Sequence, residues 1–430
     1  MKIFLSLTLT FYSISAFSQT VNKSFEELWQ EFFHKSLQQK SIGQEKVASE
    51  LSLERSRRHW LPRVYVTGQW FSTNDPTQVF FNHLGQRSIE QADFIPSDLN
   101  RPGRKNFLAA SLGVDLPLYE GGMKSSQTSM FESLVKASAM EMKAKKTEEY
   151  SELGRQFGTA LLYSKNGVLL NNLKKKLESI IANYQVGSQS NPVGYSGLLG
   201  LKGVGNRIEG LLSEYELKSM NAKKWIAKKT QTDENWAPDM KVNLKDFLSS
   251  NFTHTSSSAY SSNILAQKFK VDTLDNQKDM EKARFLPRVG LFAQNSLYDG
   301  NRDSENSQTY GIYLMWDLFN SDSYGRLGEA NAKAMAGKAK IEAYKQDEKI
   351  MLDQLLDSKT TLEKNLVLLI DSDRLLEEQT QNATKLFRSG MLSALQLSEV
   401  INRRVDLIEN KNKAENQYLE VYSRIYQINN

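Results

Sequence analysis

The segment Trp60-Leu61-Pro62-Arg63-Val64 recurs 225 positions later as Phe285-Leu286-Pro287-Arg288-Val289. Two further pairs of segments follow in the same order, at offsets of 200 and 203 positions. They are Leu118-Tyr119-Glu120-Gly121-Gly122 with Leu318-Phe319-Asn320-Ser321-Asp322, and Tyr184-Gln185-Val186-Gly187 with Phe387-Arg388-Ser389-Gly390. Self-similarity of this kind marks a duplicated structural unit. The sequence therefore predicts a tandem duplication of a unit of about 200 residues, with a longer loop in the first copy.

Each copy predicts a pair of β-strands after its proline, because proline ends the preceding helix and alternation of apolar and polar residues follows. This alternation fits two structures. One is an antiparallel sheet on a soluble core, and the other is a set of transmembrane strands with one lipid-facing and one lumen-facing side. Four strands cannot close a barrel, so the second structure requires several chains. Its lumen-facing positions would be Arg63, Tyr65, Thr67, Gln69, Asp115, Arg288, Gln294 and Asp317.

Long helical stretches follow both strand pairs. Residues 123–186 and 322–388 lack proline and predict helices of roughly 95–100 Å at 1.5 Å per residue. Such lengths far exceed the average helix of about 11–12 residues, so these helices must pack as coiled coils or long bundles. Each one turns back into a second long helix, at about 194–229 and 392–428, and shorter helices are predicted at 24–58 and 263–284.

The order of these signals divides the chain into four parts. Residues 1–18 have a charged start, a short apolar run and small residues before Gln19, which predicts a secretory signal peptide. We expect the first repeat at 19–229, with its strand pair at 62–119 and its helical hairpin at 123–229. A linker or equatorial region at 230–262 precedes the second repeat at 263–430, with strands at 286–319 and a helical hairpin at 322–428. Residues 73–106 form an unusually long strand connection.

Composition excludes several classes of function. The chain has 430 residues, no cysteine, and 55 Lys plus Arg against 50 Asp plus Glu, a balance too even to indicate nucleic-acid binding. The four histidines, at 34, 59, 83 and 254, lack metal-ligand spacing, and Gly121-Gly122-Met123-Lys124-Ser125 lacks the Gly-Lys pair of a phosphate loop. We therefore predict no enzyme activity and no catalytic, cofactor or metal site.

The duplicated helix-Leu-Pro-strand segments, the strand end Leu116-Pro117-Leu118-Tyr119-Glu120-Gly121-Gly122 and the helical turn at Leu386-Phe387-Arg388-Ser389-Gly390 together resemble the TolC-like outer membrane efflux proteins. The resemblance implies a mainly α fold with a β part, in which duplicated long helical hairpins form a coiled-coil tunnel. It also implies that four strands per chain join a trimeric 12-stranded transmembrane β-barrel.

The same resemblance implies a passive exit duct in the outer membrane of a Gram-negative bacterium, with a large periplasmic part. Its partners would be two further copies, outer-membrane lipid, a periplasmic adaptor and an inner-membrane pump of RND or ABC type, in efflux or type I secretion. The alternative from the residues alone is a secreted or periplasmic coiled-coil scaffold, which leaves the duplicated strands unexplained.

The family narrows its periplasmic entrance with acidic residues six and nine positions after the turn glycine. Here those positions are Gln396 and Glu399, so only the second is acidic, and Val193 occupies the first position in copy one.

Glycines recur every three residues at 194, 197, 200 and 203, although each costs about 1 kcal/mol relative to alanine within a helix. Either this helix starts late, or its bare face lets another backbone approach closely. We expect the hairpin tips and the adaptor contact at Gly187, Gly194, Gly197, Gly200 and Gly390.

Overall fold

The computed structural model describes residues 21–184, 192–233, 235–253 and 260–430. The predicted signal peptide and Gly187 lie outside these ranges. Within them, none of the helices combines the length and the apolar character needed to cross a bilayer. The elements in chain order are β1 (Val21–Lys23), α1 (Phe25–Lys35), α2 (Leu37–Arg57), β2 (Arg63–Thr73), α3 (Pro76–Gly85), α4 (Pro96–Asn100), β3 (Lys105–Glu120), α5 (Met123–Ala182), α6 (Pro192–Thr230), β4 (Trp236–Pro238), α7 (Leu244–Asn251), α8 (Ser262–Ala283), β5 (Arg288–Gly300), β6 (Ser304–Met315), α9 (Ser321–Arg388) and α10 (Ala394–Asn429).

The long helices are as the sequence predicts. Helices α5 and α9 contain 60 and 68 residues, or roughly 90 and 100 Å. The predicted helix at 24–58 is wrong as a single element, because Ser36 takes an extended conformation that ends α1. The Ser36 hydroxyl donates to Glu149 Oε1 over 2.8 Å, which offsets the interrupted helical hydrogen bonds.

The chain divides into two compact units. The helical unit comprises residues 1–41, 142–262 and 346–430, and the sheet unit comprises residues 42–141 and 263–345. Each repeat contributes to both units, because α5 and α9 each begin in the sheet unit and continue into the helical unit.

The sheet unit is built on one four-stranded antiparallel sheet with the order β2-β3-β5-β6. The predicted strands are all present. A register shift between Pro117 and Tyr119 marks a bulge near the end of β3. The connection between β2 and β3 is longer than a turn, as predicted, and it contains α3, a 3₁₀ turn at Gln91–Phe94 and α4. After β3, Gly121 and Gly122 adopt positive φ angles of 66° and 83°, which lets the chain turn sharply into α5.

The helical unit has two hydrophobic clusters. The first is aromatic, and in it Phe157 stacks on Trp236 with ring centroids 6.0 Å apart. Trp236 belongs to β4, which pairs in parallel with β1, so the predicted linker at 230–262 contributes to this core. The second cluster is aliphatic and lies along α5, α6 and α10, where Leu397 is fully buried.

A buried polar network crosses this unit between α5 and α10. Asn166 Nδ2 donates to Asn412 Oδ1 over 2.8 Å and to Glu415 Oε2 over 3.2 Å. Burial raises the pKa of the Glu415 carboxyl, and the hydrogen bond from Asn166 opposes that effect only in part. The folded protein therefore holds the proton of Glu415 to a higher pH than the unfolded chain does.

The substitution Glu415→Gln is expected to remove this pH dependence. A carboxyl whose pKa is raised by folding loses stability as pH rises from its unfolded pKa through its folded pKa, and the loss is then constant. The variant should therefore be more stable than wild type at pH 8 and nearly equal to it at pH 4. Thermal unfolding followed by circular dichroism at the two pH values measures this difference, and equal differences at both would contradict the assignment.

Candidate functional site

The strand register collects the polar positions of all four strands on one face of the sheet, here called the polar face. Its rows run across β2, β3, β5 and β6. They are Arg63, Asp115, Phe292 and Gly311, then Tyr65, Gly113, Gln294 and Thr309, then Thr67, Ser111, Ser296 and Ser307, and then Gln69, Ala109, Tyr298 and Glu305. These rows contain six of the eight residues predicted to face a lumen. The seventh, Arg288, is the register partner of Met315 and lies on the same face by alternation along β5. The eighth, Asp317, follows β6 and lies 3.6 Å from the Arg288 guanidinium.

Charges on the polar face lie mainly toward the end at which β3 passes into α5. Arg63 and Asp115 are direct register partners, and the Arg63 guanidinium lies 5.4 Å from the centre of the Tyr65 ring. The middle row contains only hydroxyl side chains, and Thr67 Oγ1 and Ser111 Oγ share a hydrogen bond of 2.6 Å. The face therefore changes along its length from paired charges to neutral hydroxyl groups.

Aromatic rings on the polar face cover glycines of the neighbouring strand. The Tyr65 ring lies over Gly113, closer than any Cβ atom at that position would allow. The Tyr313 ring covers Gly290 in the same way, and a Cβ there would lie 2.5 Å from the ring. A ring on a strand glycine fills the space that a side chain would occupy and excludes water from the backbone. These pairs hold the rings flat on the sheet.

Sequence reasoning missed these pairs. Neither Gly113 nor Gly290 was matched with an aromatic residue from the sequence. The signal was present, because a glycine within a strand often marks the close approach of another group. The register needed to choose the partner comes only from the folded sheet.

The opposite face of the sheet is apolar, and the described residues of the chain leave it largely uncovered. Val66 on β2 is 74% exposed and Ile312 on β6 is 73% exposed. Exposed aromatic residues, among them Trp70, Tyr310 and Trp316, lie on or just beyond the strands of this face. A contiguous apolar surface of this kind marks an interaction site with lipid or another protein.

The hairpin turn before α10 is set by backbone geometry and capping. Gly390 has a φ of 78°, and the ring of Phe387 stacks on Tyr184 with centroids 5.6 Å apart. Ser393 caps α10, and the Gln396 side chain accepts a hydrogen bond of 3.0 Å from the Ser393 backbone N–H. Gln396 thus completes the N-terminal cap of α10. Its proposed role at an entrance remains a prediction.

Glu399 is exposed, but its charge is partnered. Its Oε1 atom accepts a hydrogen bond of 3.1 Å from Arg403 Nε, one helical turn further along α10. Arg403 was not predicted as its partner, although the spacing of four residues between opposite charges on a helix indicates such a pair. Because both groups are largely exposed, the pair contributes little to stability. A role of Glu399 at the periplasmic entrance remains a prediction, and there each carboxylate would have a compensating positive charge beside it.

The glycine repeat in α6 has a local explanation at two positions. The helix begins at Pro192, so it does not start late. Gly197 lies against the start of α10, where a Cβ would come 2.6 Å from Ala394 Cβ, and Gly200 faces Ser398. The backbone that approaches Gly197 is therefore that of α10 in the same chain, whereas side chains of α10 approach Gly200. The Gly194 carbonyl accepts a hydrogen bond of 3.2 Å from the Tyr184 hydroxyl. An adaptor contact at these glycines and Gly390 remains untested.

No protein-family model and no curated protein matches this chain. Solved structures do. The chain is similar to CusC, described as forming a transmembrane channel, with a TM-score of 0.77 and 10% identity over 95% of this chain and 92% of CusC. It is similar to the outer membrane channel MtrE of Neisseria gonorrhoeae, with a TM-score of 0.77 and 11% identity over 94% of this chain and 88% of MtrE. It is also similar to the outer membrane channel CmeC of Campylobacter jejuni, with a TM-score of 0.73 and 13% identity over 99% of this chain and 93% of CmeC.

The chain has the fold of these channels. Coverage of nine-tenths or more of this chain shows that both repeats and the strands between their helices belong to the shared fold. This confirms the predicted architecture of long helical hairpins with a small β part. At 10–13% identity, the likeness concerns the fold alone.

The substitution Gly113→Ala is expected to destabilise the sheet by about 1–2 kcal/mol, because the new methyl group displaces the Tyr65 ring. Gly68→Ala is the matched control, since a Cβ at Gly68 meets no atom within 4 Å. Unfolding in detergent measures both changes. In a Tyr65→Ser background the cost of Gly113→Ala should largely vanish, and an unchanged cost would show that the ring is not its cause.

The glycines of α6 predict opposite effects for the same substitution. Gly197→Ala should destabilise the helical unit, because the added Cβ collides with Ala394. Gly203→Ala should stabilise it by up to about 1 kcal/mol, because no atom lies within 4 Å and alanine favours the helix. Thermal unfolding of the two variants compares them directly. Equal shifts in the same direction would contradict the packing described here.

Proposed function

We propose that this chain is the outer-membrane channel of a tripartite efflux or type I secretion system. Three copies would each contribute four strands to one 12-stranded barrel in the outer membrane of a Gram-negative bacterium. Their helical hairpins would extend into the periplasm as a tunnel. The channel would be a passive exit duct for substrates delivered by an inner-membrane pump of RND or ABC type and a periplasmic adaptor, and it would have no enzymatic activity of its own.

The observation that carries this proposal is the uncovered apolar face of the four-stranded sheet. Side chains such as Val66 and Ile312 expose about three quarters of their surface, which water-soluble sheets avoid on a whole face. Lipid is the environment in which such a face is stable. The polar face, with its hydroxyl row and paired charges, would then line the wet interior of the barrel.

The edges of the sheet support the trimer. Strands β2 and β6 are its outer strands, and in the described part of the chain neither has a partner on its outer side. Unpaired backbone groups cannot face hydrocarbon, so a transmembrane sheet must be closed. Three four-stranded sheets joined edge to edge give 12 strands, which is enough for a closed barrel with an open interior.

Two arginine substitutions on β6 test the proposal. Ile312→Arg places a charge on the apolar face, where it should cost about 2–4 kcal/mol in lipid and reduce assembly in the outer membrane. Thr309→Arg, three residues away on the polar face, should be tolerated. The measurements are the amount of heat-sensitive trimer in outer-membrane fractions and ion conductance in planar bilayers.

The alternative of a secreted or periplasmic coiled-coil scaffold predicts a different result. Residue 312 would then already face water, so both variants would accumulate equally as water-soluble protein without conductance. That outcome would overturn the channel proposal.

A further inference from the structure

The connection between β2 and β3 folds back onto the polar face of the sheet. Gly85, at the end of α3, lies against the ring of Tyr298 on β5, and a Cβ at Gly85 would lie 2.8 Å from Tyr298 Cγ. Tyr298 is in the polar-face row of Gln69 and Glu305. The connection therefore lies on the polar face, at the end of the sheet that contains Tyr298, and not on the apolar face.

Burial of Phe107 gives independent evidence for this placement. Phe107 is the register partner of Phe71 and Gly300 on the polar face. It is 1% exposed, because the ring of His83 in α3 packs against it with centroids 5.6 Å apart. Gln86, which follows α3, is also fully buried and lies against Gly300.

An ion pair fastens this connection to the turn between β5 and β6. Arg302 donates to both carboxylate oxygens of Asp93, with Nη1 at 2.6 Å from Oδ2 and Nη2 at 2.7 Å from Oδ1. Arg302 Nη1 also donates to the backbone carbonyl of Ser88 over 3.0 Å. These hydrogen bonds lower the pKa of Asp93 to about 2, so the carboxylate stays charged at all physiological pH values. Paired donors of this geometry form one of the stronger contacts between side chains.

The surroundings of His83 prevent its imidazole from competing with Arg302 for the Asp93 carboxylate. His83 Nδ1 lies 3.9 Å from Asp93 Oδ1. Burial, the Arg302 guanidinium and the Lys105 ammonium all lower the pKa of His83, and only Asp93 opposes them. The imidazole is therefore uncharged at neutral pH and does not compete with Arg302 for the carboxylate.

The exposed side of α3 is apolar. Val79 and His83 face the sheet and are buried, whereas Phe81 and Leu84, on the opposite side of the helix, are largely exposed. In a closed ring of sheets, the side of α3 that faces away from the strands faces the centre of the ring. Apolar side chains in a wet lumen are stabilised when they cover one another, and equivalent residues of the other two copies would lie nearest to them.

We propose that residues 76–100 of each chain form a lid, which lies over the polar face at the end of the sheet remote from α5. The lid would narrow the outer mouth of the channel and would be kept closed by the Arg302–Asp93 pair. The proposal rests on the proposed function, since the lid has a mouth to cover only if the polar face lines a lumen. Opening would require the Arg302–Asp93 bonds to break and α3 to leave Phe107 and Tyr298.

The absence of cysteine makes a direct test possible. Thr67→Cys introduces one thiol in the hydroxyl row, which lies deeper than the rows of Tyr298 and Phe107 that the lid contacts. Intact cells are treated from outside with a bulky thiol reagent that does not cross membranes, and the labelling rate of Cys-substituted trimer is measured. Adding Arg302→Gln should accelerate labelling about tenfold, because the closed lid loses its charged hydrogen bonds.

Two further variants keep the result interpretable. Arg57→Gln breaks a different arginine–carboxylate pair of the sheet unit, with Glu132 at 2.8 Å, and should leave the labelling rate unchanged. Arg302→Lys, which retains one ion pair, should give an intermediate rate and replaces Arg302→Gln if that variant does not assemble. The amount of heat-sensitive trimer is measured for every variant.

The possible outcomes separate the two proposals. Equal and rapid labelling with and without Arg302→Gln or Arg302→Lys would overturn the lid and leave the channel intact. A thiol at position 67 that no variant exposes, even in trimers purified in detergent, would mean that the polar face is not a wet lumen. That result would overturn the proposed function, and the lid with it.

Discussion

Backbone pairing at the two outer strands of the sheet is the requirement that governs the architecture of this protein. Strands β2 and β6 each present a row of peptide groups without a partner on the outer side in the described chain. Beside them lies an apolar face that the described residues of the sheet unit leave largely uncovered. Further strands can form hydrogen bonds with the unpaired edge strands, and lipid can cover the apolar face. Under the proposed function, closing three sheets into one barrel in the membrane pairs the edge strands and places the apolar face against lipid.

The two faces of the sheet are built in opposite ways. The apolar face is left open, whereas the polar face is organised by contacts within the chain. Tyrosine rings lie flat on Gly113 and Gly290, and the connection that carries α3 packs on Phe107 and Tyr298. Under the proposed function, contacts within each chain therefore organise the surface that the chain contributes to the channel interior. Its width and chemistry depend on cross-strand pairs and on the β2–β3 connection more than on single charged residues.

The helical unit solves a different problem, since helices of 60 and 68 residues need lateral support over their whole length. An aromatic cluster includes Trp236 of β4, and a mainly aliphatic cluster runs between α5, α6 and α10. Close packing at Gly197 and Gly200 joins α6 to the start of α10. At that start, Gln396 completes the helix cap, which gives a structural reason for a glutamine at this position.

The amino-acid pattern alone was enough to predict the duplication, the four alternating strands and the long helices, because proline positions and hydrophobic periods are local properties of the chain. It also identified the residues of the polar face, since alternation fixes which side chains share a face. The interruption of the helix at Ser36 was not predicted, because it depends on a hydrogen bond to Glu149, more than 100 residues away.

Contacts between distant segments needed the tertiary structure. Spacing in the sequence could not pair Tyr65 with Gly113, assign the α6 glycines to α10 or bring Arg302 to Asp93, because each contact depends on strand register or helix packing. For the same reason, the sequence indicated only a long loop at residues 73–106. In the folded protein this segment contains helices and packs on the polar face at Tyr298.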